Sequence, residues 1–373
     1  MKIFINLKKN KILFYFFVFS LLISLFFFKW IHYLYHLAKH QISILGSTVE
    51  ISNILNNSTL DEKTRKKLNL LIEVKDFALK EYQLNESKAY LTFVQLPRNE
   101  LGWNITAAYS LEMKAKEFYF PFIGSFSYLG FFDNQLKDKW KQSLLKENFD
   151  VYETTIAAYS TLGILNDPVF STYLEFSDFF LIRLIFHEIA HEKLYFTDDT
   201  NFSESLASFI EIVMLKMFLK EKYPGQIGSD FLLSRNKYSK YILTVHALID
   251  EYKHKLENLY SEKISDENKL TLKKKYFTEL RQKLTELNEN KKYEPFTQPI
   301  LDVPELNNAF LIQFKRYRPH LTGFKPLLLE CNDDIICFFK KLEKLKDCDV
   351  EKRQIFLNQE ISYSKMLNIC RNN

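Results

Sequence analysis

The sequence predicts a predominantly helical α+β fold with a small mixed sheet, a long helical hairpin and one membrane-spanning helix ahead of them. Three observations carry this prediction. Glycine and proline are scarce, 8 and 9 in 373 residues, while Lys, Glu and Leu abound, a balance that favours helix over a glycine-rich sandwich or barrel. Short runs rich in aromatic and β-branched residues fall between residues 89 and 158, where they read as strands. From Tyr173 onwards apolar residues recur at helical spacing instead. The length is enough for a main domain with a helical extension.

The elements follow in order. Lys2, Lys8, Lys9 and Lys11 precede an uncharged apolar run, Ile12 to Phe28. At about 1.5 Å per residue such a run reaches about 26 Å, close to the hydrocarbon thickness of a bilayer. Lys29 ends it, and Trp30, Tyr33 and Tyr35 read as an interfacial belt. The lysine excess places the N-terminus in the cytoplasm and the rest outside. A cleaved signal peptide is the rival reading, but the run stays bulky to its end and no Ala-x-Ala-like site follows. His32, His36 and His40 read as a solvated helix face. Thr59-Leu-Asp-Glu62 has the form of a capping box before a helix. Ala89–Gln95, Trp103–Tyr109, Phe118–Phe122 and Asp150–Ala158 read as strands, Gly124–Gly130 as a turn or loop, and Gln135–Asn148 as an amphipathic helix.

One helix is expected from Tyr173 to about Tyr195 and a second from Ser203 to about Lys222. Ser229 to about Lys292 reads as an antiparallel helix pair, followed by helices at about Glu305–Tyr317 and Pro326–Leu345. The implied organisation is a cytoplasmic stub and anchor over 1–30, a main domain over 31–225, a helical hairpin over 226–300 and a helical segment packing on the main domain over 301–373. The net charge of +5 is interspersed along the chain, with no basic stripe or module of the kind nucleic acid requires. Cys331, Cys337, Cys348 and Cys370 all lie in the tail, where three pairings are open to them.

The run Leu184-Ile-Phe-His-Glu-Ile-Ala-His191 carries the chemistry. Residues i and i+4 share a helix face, so His187 and His191 can direct imidazole nitrogens at one ion, with Glu188 one step round. This suits Zn2+, which accepts imidazole and keeps a position for water. Bound zinc acidifies that water, and Glu188 can take its proton as it attacks a carbonyl. The preceding Phe179–Phe186 is largely apolar, as a buried active-site helix requires. A third ligand is needed, and Glu204 and Glu211 on the next helix compete for the role. A short turn places Glu204 opposite the histidines, leaving Glu211 to brace a ligand or the fold. Asp198 and Asp199 fall in the turn.

At these residues a family resemblance becomes definite. Phe202-Ser-Glu-Ser-Leu-Ala-Ser-Phe-Ile-Glu211 is similar to the Asn-Glu-x-x-Ala-x-x-x-Glu pattern of gluzincin-class zinc aminopeptidases. More closely, the chain resembles a bacterial family described as predicted aminopeptidases. Phe120–Asp133, Ala158-Tyr-Ser-Thr-Leu-Gly163 with Asp167-Pro168, Asp199–Glu204 and Asn307-Asn-Ala309 match its segments in order, from roughly Tyr35 to Phe324. The resemblance implies a zincin-like catalytic domain, His187, His191 and Glu204 as zinc ligands, and Glu188 as general base. Ser203 stands where the family usually has Asn, and the lipobox cysteine of many relatives is lacking. Tyr159 is the candidate for steadying the oxyanion, with a buried packing role as its alternative. His246 and His254 read as positions on a charged helix, with a site role as the alternative, and Glu153 or Asp167 is the carboxylate that would hold a free substrate amine.

The reading is therefore a zinc peptidase of the bacterial inner membrane, single-pass and with its catalytic domain outside the cytoplasm, acting on peptides as an aminopeptidase. An endopeptidase, and a non-enzymatic envelope scaffold whose helical hairpin binds a partner, are its alternatives.

Overall fold

The computed structural model describes residues 29–87, 89–120, 124–156, 166–289, 305–316, 323–359 and 361–371. Helix dominates, as expected, but the strands form three small sheets among the described residues rather than one. Helix α1 (29–46) leads into β1 (Val49–Glu50), α2 (Ile51–Leu55) and the long α3 (Glu62–Tyr82). Then come β2 (Thr92–Val94), β3 (Gly102–Tyr109), β4 (Phe118–Phe120), β5 (Gly124–Phe126), β6 (Leu129–Phe131), α4 (Asn134–Lys146), β7 (Phe149–Ile156) and β8 (Val169–Phe170). The rest is helical: α5 (Asp178–Lys193), α6 (Thr200–Lys222), α7 (Gln226–Ser261), α8 (Asp266–Glu289), α9 (Asn308–Arg316), α10 (Phe324–Glu330), α11 (Ile335–Glu343), α12 (Val350–Asn358) and α13 (Tyr363–Arg371).

The sheet β1-β2-β8 is mixed, with Phe93 opposite Val169 in its parallel pair. The sheet β6-β3-β7 is antiparallel and registers Gly102 on Ile156 through Tyr109 on Phe149. Strands β4 and β5 form a separate hairpin, so Gly124–Gly130 is largely strand and not loop. Gly124 turns the chain there with φ 112°, a conformation that favours glycine.

Three cores divide the molecule. The largest joins α3, α5, α6, the mixed sheet and the C-terminal helices α10–α13. A second lies between α7, α8 and α9, and a third between α1, α4 and the antiparallel sheet. Helices α7 and α8 run antiparallel, since Tyr241 reaches Asn288 while Tyr260 is held by Lys269 at the turn.

Several expectations need correction. The helix after Thr59 is capped by Asp61, whose side chain accepts from the Thr64 N–H. The helix expected from Tyr173 is split: a 3-10 turn over Ser171–Glu175 ends at Phe176, and Ser177 caps α5. The helix expected over Pro326–Leu345 breaks because Asn332 and Asp333 adopt positive φ, after which Asp334 caps α11. Cys331 pairs with Cys337 across that break, and Cys348 with Cys370. Trp30 and Tyr33 are not an exposed belt. Tyr33 is buried with its hydroxyl on the Gly130 carbonyl, and Trp30 packs on Phe120 and Trp140. His40 likewise turns inward and stacks on Phe132. No helix among the described residues is long and apolar enough to cross a membrane; the run Ile12–Phe28 lies outside them.

Candidate metal centre

Helix α5 places the motif at the centre of the largest core. Its apolar residues Leu181, Ile182, Ile185, Phe186 and Ile189 are buried, which leaves His187 and His191 to face α6. Tyr82 of α3 fixes the helix from behind by donating to the Phe186 carbonyl. The turn into α6 is tightly held. Asp199 caps α6 through the Phe202 N–H, and Ser203 accepts from the Phe196 N–H at 2.9 Å. The fully buried Arg353 of α12 donates to Asp199 at 3.1 Å and also pairs with Asp198. Both turn aspartates are thus committed to structure, and the C-terminal segment positions the start of α6.

That start carries Glu204. Its Oε2 lies 3.3 Å from His187 Nε2 and its Oε1 lies 3.5 Å from His191 Nε2. One donor atom from each of His187, His191 and Glu204 falls within 4.8 Å of the other two, the one such group of metal-ligating side chains among the described residues. Glu204 is half exposed while His191 is buried, so the cluster opens to solvent on the carboxylate side. Glu211, two turns further along α6, sits at the other edge of the His187 ring. Its Oε2 meets Nδ1 at 3.1 Å. Its Oε1 takes the Nε–H of Arg183 at 2.9 Å and an Nη2 bond as well. Glu211 therefore braces His187 from the side away from Glu204.

The charges follow from this geometry. Burial pulls the His187 imidazole down, but Glu204 and Glu211 outweigh it and hold it at about 10. Burial, and then the charge on His187, push His191 down to about 4. Burial would raise Glu211, yet Arg183 and His187 bring it below its ordinary value, and His187 does the same for Glu204. His191 Nδ1 is buried and has no hydrogen-bond partner. Two imidazoles, one carboxylate and an open side fit a divalent cation such as zinc.

Glu188 is half-buried beside this cluster, and its charge acts on His187 and on the buried phenol of Tyr90. Tyr90 itself sits at φ 60°, an uncommon conformation for a tyrosine. Residues 32–357 match the family described as "Putative aminopeptidase". The chain belongs to this family. No curated protein and no solved structure matches it. Family membership brings peptidase activity at the level of the family's description.

The weaker candidates fare differently. Tyr159 lies outside the described residues. Glu153 is bound by Lys137 at 2.6 Å and Lys141 at 2.9 Å, so it is not available to a substrate amine. Asp167 is buried, with its carbonyl on the Tyr90 N–H. His246 is buried against Phe314, and His254 is exposed beside Glu257. Sequence reasoning missed Arg183. Its signal was a lone cation in an apolar run, four residues before His187 and hence on the same helix face.

Proposed function

We propose that this family member is a zinc-dependent aminopeptidase with His187, His191 and Glu204 as metal ligands and Glu188 as general base. The observation that carries the reading is the convergence of one ring nitrogen from each of His187 and His191 with a Glu204 oxygen within 4.8 Å, on one open side of a buried helix. Zinc held there would supply Lewis acidity to the water and to the scissile carbonyl. Glu188 takes a proton from the attacking water as its oxygen bonds to the carbonyl carbon. It then delivers that proton to the amine nitrogen as the C–N bond breaks. Glu211 keeps His187 oriented throughout.

Replacing Glu188 by Gln tests this directly. Hydrolysis should fall by about 100- to 10,000-fold, the contribution of a general base, while one zinc per chain is retained. Full activity in Glu188→Gln overturns the mechanism. A folded wild-type chain without zinc returns the scaffold alternative. Peptides with free and blocked N-termini separate the aminopeptidase from an endopeptidase: cleavage confined to the free ones supports the former, and equal cleavage of both overturns it.

The same reading places the chain in the bacterial inner membrane through Ile12–Phe28, with the catalytic domain outside the cytoplasm. The pairs Cys331–Cys337 and Cys348–Cys370 support an oxidising compartment. Protease added to the outside of spheroplasts should digest the domain; protection there overturns the orientation.

A further inference from the structure

Arg183 touches neither Glu204 nor His191 among the described hydrogen bonds and ion pairs, yet the shape of its surroundings is directed at the site. Its Nε and Nη2 both go to Glu211 Oε1, which leaves Glu211 Oε2 for His187 Nδ1 at 3.1 Å. The carboxylate is thereby divided, one oxygen to the cation and one to the ligand ring. Glu211 is 5% exposed, so a charge there depends on a fixed cation rather than on water. The guanidinium is in turn fixed from two sides. Its carbon lies 5.5 Å from the Phe179 ring on α5 and 5.4 Å from the Tyr238 ring on α7, and Tyr238 also hydrogen-bonds it. A planar guanidinium can fork onto a carboxylate and pack between rings in a way an ammonium cannot.

We infer that Arg183, seated by Tyr238 of the helical hairpin, is a positioning residue for the metal centre: it holds Glu211 so that His187 keeps Nδ1 on the carboxylate and presents Nε2 to the ion. The inference rests on the proposed metal reading and extends it to the hairpin. The hairpin then has a role within the chain, completing a line of contacts from Tyr238 through Arg183 and Glu211 to His187. Partners of this kind set ring orientation and ligand basicity, and their loss weakens metal binding by about 10- to 100-fold.

The test uses the full chain, purified in detergent, stripped with a chelator and titrated with zinc against a competing chelator; cobalt replaces zinc for absorption spectra. Arg183→Met should weaken zinc by about 10- to 100-fold, shift the cobalt bands and lower kcat more than it changes KM. Arg183→Lys, which restores a cation without the fork, should recover part of the affinity. Tyr238→Phe should show a smaller change in the same direction. A folded Arg183→Met with wild-type zinc affinity and an unchanged cobalt spectrum overturns the inference. Should Arg183→Met fail to fold, Glu211→Gln decides, because it keeps the size and removes the charge; unchanged zinc affinity there overturns it equally. A wild-type chain that takes up no zinc overturns the metal reading itself, whereas wild-type uptake with an indifferent Arg183→Met overturns only the role of Arg183.

Discussion

The junction of α5 and α6 and the seam where α8 and α9 meet the β3–β7 pair both gather buried polar side chains, but they are built in opposite ways. At the seam, Lys273 donates to Asp150 at 2.6 and 2.8 Å and to the Ser110 carbonyl at 2.9 Å. Asp150 also accepts the Asn308 N–H at 2.9 Å. The Asn308 side chain binds the Tyr109 carbonyl at 2.9 Å and takes the Tyr260 hydroxyl at 2.7 Å. Asn307 donates to the Val151 carbonyl and caps α9 through Phe310. Donors there meet acceptors pairwise, and charges cancel. At the α5–α6 junction, ligand atoms face one another and Glu204 opens to solvent. A cluster whose donors and acceptors are matched is a clamp, and one whose ligand atoms converge on an open side is a site. The Asn307-Asn308 pair belongs to the clamp.

The comparison breaks first at Lys273. Lys273→Met leaves Asp150, whose side chain is 15% exposed, without its cation, and the loss of a partner from a largely buried pair costs up to about 3–5 kcal/mol. The denaturant midpoint should fall accordingly while the folded fraction keeps its zinc affinity. A cost below about 1 kcal/mol would mean the seam is no clamp. Next comes Glu204→Gln. Zinc affinity should drop by at least about 100-fold, about 2.7 kcal/mol, while the metal-free chain shifts by no more than about 1 kcal/mol, since the carboxylate is half exposed. Unchanged zinc affinity would move the ligand role away from Glu204. Glu211 is a poor substitute, because Arg183 and His187 Nδ1 already occupy its two oxygens. Asn308→Ala is the smaller test of the seam. It strands the Tyr109 carbonyl and the Tyr260 hydroxyl and should cost about 1–3 kcal/mol, with peptidase activity retained.

How legible each region was depends on how local its causes are. Helices α5 and α6 could be read because an apolar run and the His-x-x-x-His spacing act within a few residues, but their starts were expected at Tyr173 and Ser203 rather than after the Ser177 and Asp199 caps. The position of Glu204 opposite the histidines followed from a short turn. What holds that turn did not, because Arg353 arrives from 154 residues beyond Asp199 and nothing local marks it. Strands β5 and β6 are three residues each and show no alternation long enough to notice. The break between α10 and α11 was signalled by Asn332-Asp333-Asp334, residues that tolerate positive φ and cap helices, but the apolar spacing on either side masked it. Trp30 and Tyr33 were misplaced for the opposite reason. Aromatic residues next to an apolar run suit a bilayer interface, and they suit a sheet edge equally well.

His40 sharpens the comparison on the smallest scale. Like His191 it has a buried nitrogen without a partner, here Nε2. Unlike His191 it belongs to no group of metal-ligating side chains among the described residues; its ring stacks on Phe132 with centroids 4.0 Å apart. Burial, and then the nearby Arg98, push it down to about 4 from an ordinary value of 6.5. The folded chain therefore prefers neutral His40, while the unfolded chain takes up a proton as the pH falls through 6.5. Stability from this residue is complete above that value and is lost as pH descends towards 4. The loss should be modest, because the ring is only partly buried. Melting temperatures of wild type and His40→Gln, compared in the metal-free state between pH 7 and pH 4.5, isolate it. The gap between them should narrow as the pH falls; a gap that stays constant would mean that His40 takes up its proton in the fold as readily as in the unfolded chain. An orphaned imidazole nitrogen would then mark a site only where other ligands converge on the same ring, as they do at His191.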